Sequence, residues 1–218
     1  MSLEQPGTDA LRVVAVIGSL HSPSKTEVLV EAILTSLADA LPIDVHIVRI
    51  GEIGPQFAGA FYRSQLPDTV EQELRRIEEA ELLVVATPVY RASFTGLFKH
   101  LFDFVEQYAL VDTPVLLAAT GGSERHALIL EHQLRPLFGF FQALTLPLGV
   151  YAHDRDFENY VITSPLLQER IGNAIRRGLP LIRSSIVERE RLERVLSEGG
   201  DELAAAAPAG GAPVRLYS

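Results

Sequence analysis

Three runs in this chain, 13-VVAVIG-18, 82-LLVVATPVY-90 and 113-TPVLLAATGG-122, are apolar and lack the polar–apolar alternation of a half-exposed strand. A strand with no polar face is buried on both sides, and such strands belong to parallel sheets covered by helices above and below. The segments between them agree. Ser24 to Leu41 carries Val28, Leu29, Ala32, Ile33 and Leu37 at helical spacing, and Asp68 to Glu81 is charged and amphipathic. Residues 94–107 and 124–142 read as further helices, and a final helix is expected from about Ser164 towards residue 196. The stretch 43-IDVHIVRI-50 alternates with period two, as an edge strand does, and 144-LTLPLGVY-151 reads as the last strand. Residues 51–67, rich in Gly and Pro, read as a loop.

Five strands alternating with helices predict an α/β, three-layer, flavodoxin-like fold with a five-stranded parallel sheet in the order 2-1-3-4-5. The 218 residues, 47% of them hydrophobic, suffice for one such domain over residues 11–197. Residues 1–10 are expected to be a flexible N-terminus and 198–218, rich in Ala, Gly and Pro, a disordered tail. The chain has no Cys, which excludes a thiolate nucleophile, so any redox chemistry belongs to a bound cofactor. A net charge of −9 argues against nucleic acid as a partner, and no apolar run approaches the ~20 residues that span a bilayer. With no secretory signal in MSLEQPGTDA, a cytoplasmic protein with no membrane partner is expected.

In an open parallel sheet, ligands bind where the strands end. The first such loop, 18-GSLHSPSKT-26, precedes a helix whose free N–H groups and dipole favour an anion. The hydroxyls of Ser19, Ser24 and Thr26 and the ammonium of Lys25 suit a phosphate. Ser24 and Glu27 also form a capping-box pattern, which is compatible with anion binding. The spacing is not GxxxxGK[ST], no carboxylate for magnesium ends another strand, and GxGxxG is missing. The loops 86-ATPVYRASFTG-96 and 118-AATGGSERH-126 offer backbone, small residues and one aromatic ring. Together they point to FMN and to no metal.

With those three loops, the chain resembles the NAD(P)H-dependent FMN reductases of the flavodoxin-like superfamily. It looks most like the reductase components of two-component alkanesulfonate and methanesulfonate monooxygenase systems. The resemblance covers residues 11 to 185. It rests on the GSxxxPSxT-like loop, on 87-TPVYRASFTGLFKHLFD-103 and on 119-ATGGSERHALILEHQLRPLF-138. It implies that Ser19, His21, Ser24, Lys25 and Thr26 surround the FMN phosphate. Thr87, Pro88, Val89 and Tyr90 would line the ribityl chain and ring, and Thr120, Gly121, Gly122 and Ser123 would approach the ring's polar edge. His21 stands where many relatives carry Arg, and a histidine grips an anion less firmly. NADH or NADPH, with NADH preferred, would be the hydride donor, with no catalytic side chain beyond those that position two rings. Reduced FMN would leave for an FMNH2-dependent monooxygenase. The alternatives are an enzyme that holds FMN tightly to reduce quinones, azo dyes or metal oxyanions, and a plain electron carrier.

Two further features shape expectations. Pro136 leaves the carbonyl of His132 without its usual donor, so either a π-type turn with a bond from Leu137 or a simple kink is expected. In the family resembled, a π-helix lies here, and by position its inserted residue would be His132. The helix 94–107, with Phe94, Leu97, Phe98, Leu101, Phe102, Phe104 and Val105, carries more apolar surface than one sheet face absorbs. A homodimer or homotetramer is the expected consequence, with a wholly buried helix as the alternative.

Overall fold

The structure of the chain, a computed structural model, describes residues 10–205. The expectations for residues 1–9 and 206–218 lie outside the described residues. The elements run β1 (Leu11–Ile17), α1 (Lys25–Ala38), β2 (Ile43–Arg49), α2 (Ile50–Phe57), α3 (Asp68–Glu78), β3 (Leu82–Pro88), α4 (Gly96–Phe102) and β4 (Pro114–Gly121). A π-helix (Leu130–Leu134), α5 (Arg135–Phe140), β5 (Leu144–Thr145), β6 (Val150–His153), β7 (Phe157–Glu158), β8 (Val161–Ile162) and α6 (Pro165–Ala205) follow. Helix α6 thus passes the expected domain end at residue 197. Among the described residues no helix is long and apolar enough to cross a membrane.

The sheet is parallel in the order β2-β1-β3-β4-β5, as expected. Its unalternating strands feed two cores, because successive side chains leave a strand on opposite faces. Val13, Ala15, Ile17, Leu82, Val84, Ala86, Leu116 and Ala118 pack against α1 and α6. Val14, Val16, Leu83, Val85, Val115 and Leu117 pack against the helices of the other face. The α1 stripe is turned slightly from expectation: Leu29, Val30, Ile33, Leu34 and Leu37 are buried, and Val28 and Ala32 sit at its margin.

Three expectations are corrected. The loop over 51–67 contains α2, whose Ile50, Ile53, Gly54 and Phe57 lie at i, i+3, i+4 and i+7. Gly51 explains why a glycine belongs in it, since a Cβ there would lie 3.1 Å from the backbone of Leu20. The last strand is split: β5 pairs with Pro114 and Val115, and β6 with Ala118 to Gly121. Pro147, in the gap, has no N–H for a ladder. The long helix 124–142 is a short 3-10 turn, the π-helix and α5.

The π-helix contains His132, and its five-residue bond runs from the Arg135 N–H to the Leu130 carbonyl, two residues before the expected His132–Leu137 pair. The wide turn therefore closes just ahead of the proline that cannot donate. Arg135 fastens it, gripping Glu131 at 2.6 and 2.9 Å and donating to Thr145 Oγ1 at 2.7 Å and the Leu146 carbonyl at 3.2 Å.

The apolar excess of 94–107 is spent inside the chain. Phe98, Leu101, Phe102, Phe104 and Val105 are buried against Phe57, Phe138 and Phe141. Phe94 and Leu97 stay only partly buried at the margin of this core.

Candidate functional site

Strands β1, β3, β4 and β6 end on one side of the sheet, and the loops that follow them form a single rim. The first loop leaves β1 under tight control. The Gly18 N–H donates to the Ala86 carbonyl at 2.7 Å, and the buried Thr95 hydroxyl donates to the Gly18 carbonyl at 3.1 Å. Ser19 turns its hydroxyl onto the loop itself, donating to the His21 carbonyl at 2.8 Å and accepting from the His21 N–H at 3.3 Å. It shapes the loop from within.

Ser24 is the N-cap of α1, its Oγ accepting from the Glu27 N–H at 3.1 Å. The reciprocal half of the capping box is not made. Glu27 instead accepts from Ser22 Oγ at 2.9 Å and from Arg49 Nε at 2.8 Å. That Arg49 hydrogen bond is the main reason the Glu27 carboxyl titrates below its usual range. The loop is thus braced from behind. The Lys25 and Thr26 N–H groups, in the first turn of α1, have no carbonyl four residues earlier in the helix to bind.

The second loop continues the ladder, with Val89 N–H donating to the Thr120 carbonyl at 2.8 Å. Tyr90 and Ser93 then exchange backbone bonds of 2.8 and 3.1 Å around Arg91 and Ala92. Both central residues have positive φ, 49° and 67°, as a tight hairpin turn requires, although neither is glycine. Strain of this kind concentrates where a loop must hold one conformation beside a site. The turn presents Tyr90, 44% exposed.

The third loop is tied to the first by the buried hydroxyls of Thr26 and Thr120, 2.7 Å apart. The Thr26 hydroxyl is therefore a crosslink between loops. Tyr151 of β6 props the third loop, its hydroxyl donating to the Ser123 carbonyl at 2.6 Å. Burial is the main cause that pushes this phenol above its ordinary pKa.

Together these loops enclose a groove of about 360 Å³. Ser19, His21, Ser24, Lys25, Thr26, Pro88, Val89, Tyr90, Thr120, Gly121 and Gly122 line it. Two expected residues do not. Thr87 is fully buried behind the wall, donating to the Pro88 carbonyl, and Ser123 caps the next turn through the Arg125 N–H. Pro23, Asp154 and Tyr160 join the lining and were missed by sequence reasoning. Asp154 and Tyr160 follow β6, a fourth strand end, and that position is the signal that was available. Tyr160 sits in the turn joining β7 to β8, where Asn159 and Tyr160 have φ of 47° and 61°.

A larger cavity of about 690 Å³ lies beyond Tyr151, lined among others by Glu124, Leu130, Arg155, Asp156 and Arg170, and holds none of the expected residues. Its cations are already engaged, Arg155 by Glu124 and Arg170 by the Tyr151 carbonyl.

A family model of NADPH-dependent FMN reductases matches residues 11–158. The chain belongs to the NADPH-dependent FMN reductase family. It is 58% identical over 171 residues to the NADH-dependent FMN reductase SfnE of Pseudomonas putida, covering 78% of this chain and 92% of that relative. It is 52% identical over 174 residues to an FMN reductase (NADPH) of Pseudomonas aeruginosa, covering 80% and 94%. Among solved structures, an oxidoreductase from Corynebacterium diphtheriae superposes with a TM-score of 0.68 at 33% identity, covering 80% of this chain and 98% of that one.

The groove fits the flavin of this family by its donor set. Its lining includes the α1 N-terminus with Ser24 and Lys25, suited to a phosphate. It also includes Gly121, Gly122, Tyr90 and Tyr160, small residues and rings suited to a flat heterocycle.

Proposed function

We propose that the chain is an NAD(P)H:FMN oxidoreductase that supplies reduced FMN to a partner monooxygenase, in sulfonate desulfurisation. The convergence of the capped α1 N-terminus with the second and third loops in one groove carries this reading. The N–H groups of Lys25 and Thr26, with Ser24 and Lys25 Nζ, would hold the phosphate. Pro88, Val89, Tyr90, Thr120, Gly121 and Gly122 would orient the ring. Bound there, FMN would supply the redox chemistry of hydride acceptance from a nicotinamide.

The chain's own contribution is position. It needs no nucleophile, only a rigid bed that aligns two rings at short range and backbone donors near the flavin's polar edge. The Thr26–Thr120 crosslink and the strained 90–93 turn supply that rigidity. NADH is proposed as the donor on the strength of the SfnE likeness. Assembly as a homodimer or homotetramer is proposed on the family resemblance alone.

The test is Ser24→Ala, assayed by steady-state kinetics with FMN and with riboflavin. The KM for FMN rises about ten-fold, as expected for one lost hydrogen bond to a charged group, while that for riboflavin is nearly unchanged. Equal effects on both flavins would mean that the loop does not touch phosphate.

A further inference from the structure

The carboxylate of Asp154 stands in the groove proposed to take the FMN phosphate, 2.8 Å from the ammonium of Lys25. Its second oxygen lies against the third loop, 3.2 Å from where a Cβ on Gly122 would be. One side chain therefore reaches both the phosphate loop and the loop opposite. The segment that carries it is held from behind. Asp156, itself buried, accepts from the His153 N–H at 2.8 Å, and Arg155 pairs with Glu124 on the outer rim. The Lys25 and Asp154 side chains are 35% and 55% exposed, so their pair is weak and exchangeable. Lys25 is the one Lys or Arg among the residues that line the groove. A carboxylate here cancels the charge that a phosphate would seek and adds a like charge beside it.

We propose that Asp154 determines how tightly this protein holds FMN, by competing with the flavin's phosphate for Lys25. The proposal rests on the flavin-phosphate reading given above. In the flavin-free protein Asp154 keeps Lys25 at the groove. An arriving phosphate takes Lys25 over, and on its departure the internal pair re-forms. Each exchange replaces one ion pair by another, so the charge on Lys25 adds little net affinity. Such a site suits a flavin that must leave after reduction.

The test is equilibrium titration of flavin-free protein with FMN and with riboflavin, read by quenching of flavin fluorescence. Asp154→Asn and Asp154→Ser each lower the Kd for FMN about ten-fold, by removing a competing ion pair and a like charge. The Kd for riboflavin changes less than about two-fold, since it carries no phosphate. Lys25→Met raises the FMN Kd about three-fold in the wild-type background and about ten-fold beside Asp154→Asn, a coupling that exists only if the two side chains compete. If wild type prefers FMN over riboflavin but neither Asp154 variant tightens FMN, the competition is overturned and the phosphate reading stands. Equal tightening of both flavins also overturns it, placing Asp154 against the ring. A wild type that does not distinguish the two flavins overturns both.

Discussion

Gly121 offers a direct test of the geometry that supports the third loop. Its φ lies outside the left-handed region, so alanine meets no backbone penalty there. A Cβ would lie 2.5 Å from the Tyr151 hydroxyl, but 3.4 Å from Tyr151 Cζ and from Val89 Cγ2. The last two are ordinary contacts, so a single oxygen makes the clash. To escape it, that oxygen must give up its 2.6 Å bond to the Ser123 carbonyl inside a residue only 8% exposed. Overpacking costs about 1–3 kcal/mol and the lost bond about 1 kcal/mol, so Gly121→Ala is expected to destabilise by about 2.5 kcal/mol. Tyr151→Phe loses the bond alone, about 1 kcal/mol. In the double variant the methyl occupies the space the hydroxyl has left, so the cost stays near 1 kcal/mol instead of the additive sum of about 3.5 kcal/mol. Urea unfolding of the four proteins, followed by far-ultraviolet circular dichroism, measures the cycle. A double variant as unstable as the sum would show that Gly121 and Tyr151 do not meet as described.

Two other outcomes follow from the ion pairs. The carboxyls of Glu27, Glu71 and Glu131 are all held below their ordinary value, first by hydrogen bonds from Arg49, Arg63 and Arg135 respectively. A depressed folded-state pKa contributes stability that is present above the unfolded value of about 4.5 and lost as pH falls through the folded one. Urea midpoints should thus drop as pH is lowered below about 4.5, and less steeply in Arg63→Met, which removes the main hydrogen bond holding the Glu71 carboxyl down and leaves it Arg75 alone; an unchanged slope would refute the linkage. Arg135→Ala should cost about 2 kcal/mol in the same assay, because it loses the Glu131 fork and the bonds to Thr145 and Leu146 together. Arg135→Lys should recover only part of this, lacking the planar fork.

What the sequence made legible, and what it hid, divides along a physical line. Strand burial is written locally, in runs such as 82-LLVV-85, so sheet order and the loops at the strand ends could be anticipated. Helix α2 was also written locally, in Ile50, Ile53 and Phe57, but Gly51 and Gly54 read as loop because their cause lies elsewhere. Gly51 answers to the backbone of Leu20, a contact that no window of neighbours contains. How much of the apolar surface over 94–107 the chain itself absorbs was hidden in the same way, since the partners that cover it, Phe57 and Phe138, are distant in the chain.

The groove follows the same rule with a functional consequence. The residue types that suit a phosphate were visible in one loop, yet where their polar atoms are spent was not. Ser19 serves its own loop, Thr26 serves Thr120, and Lys25 meets a carboxylate 129 residues away. A phosphate motif read from sequence counts donors as though all were free. In this fold the hydroxyls of Ser19 and Thr26 and the ammonium of Lys25 already have partners, and what the first loop keeps for an anion is the Ser24 hydroxyl proton and its backbone N–H groups at the start of α1. If the groove takes the flavin phosphate as proposed, the grip on FMN depends as much on what opposes the phosphate, Asp154 above all, as on the residues that attract it.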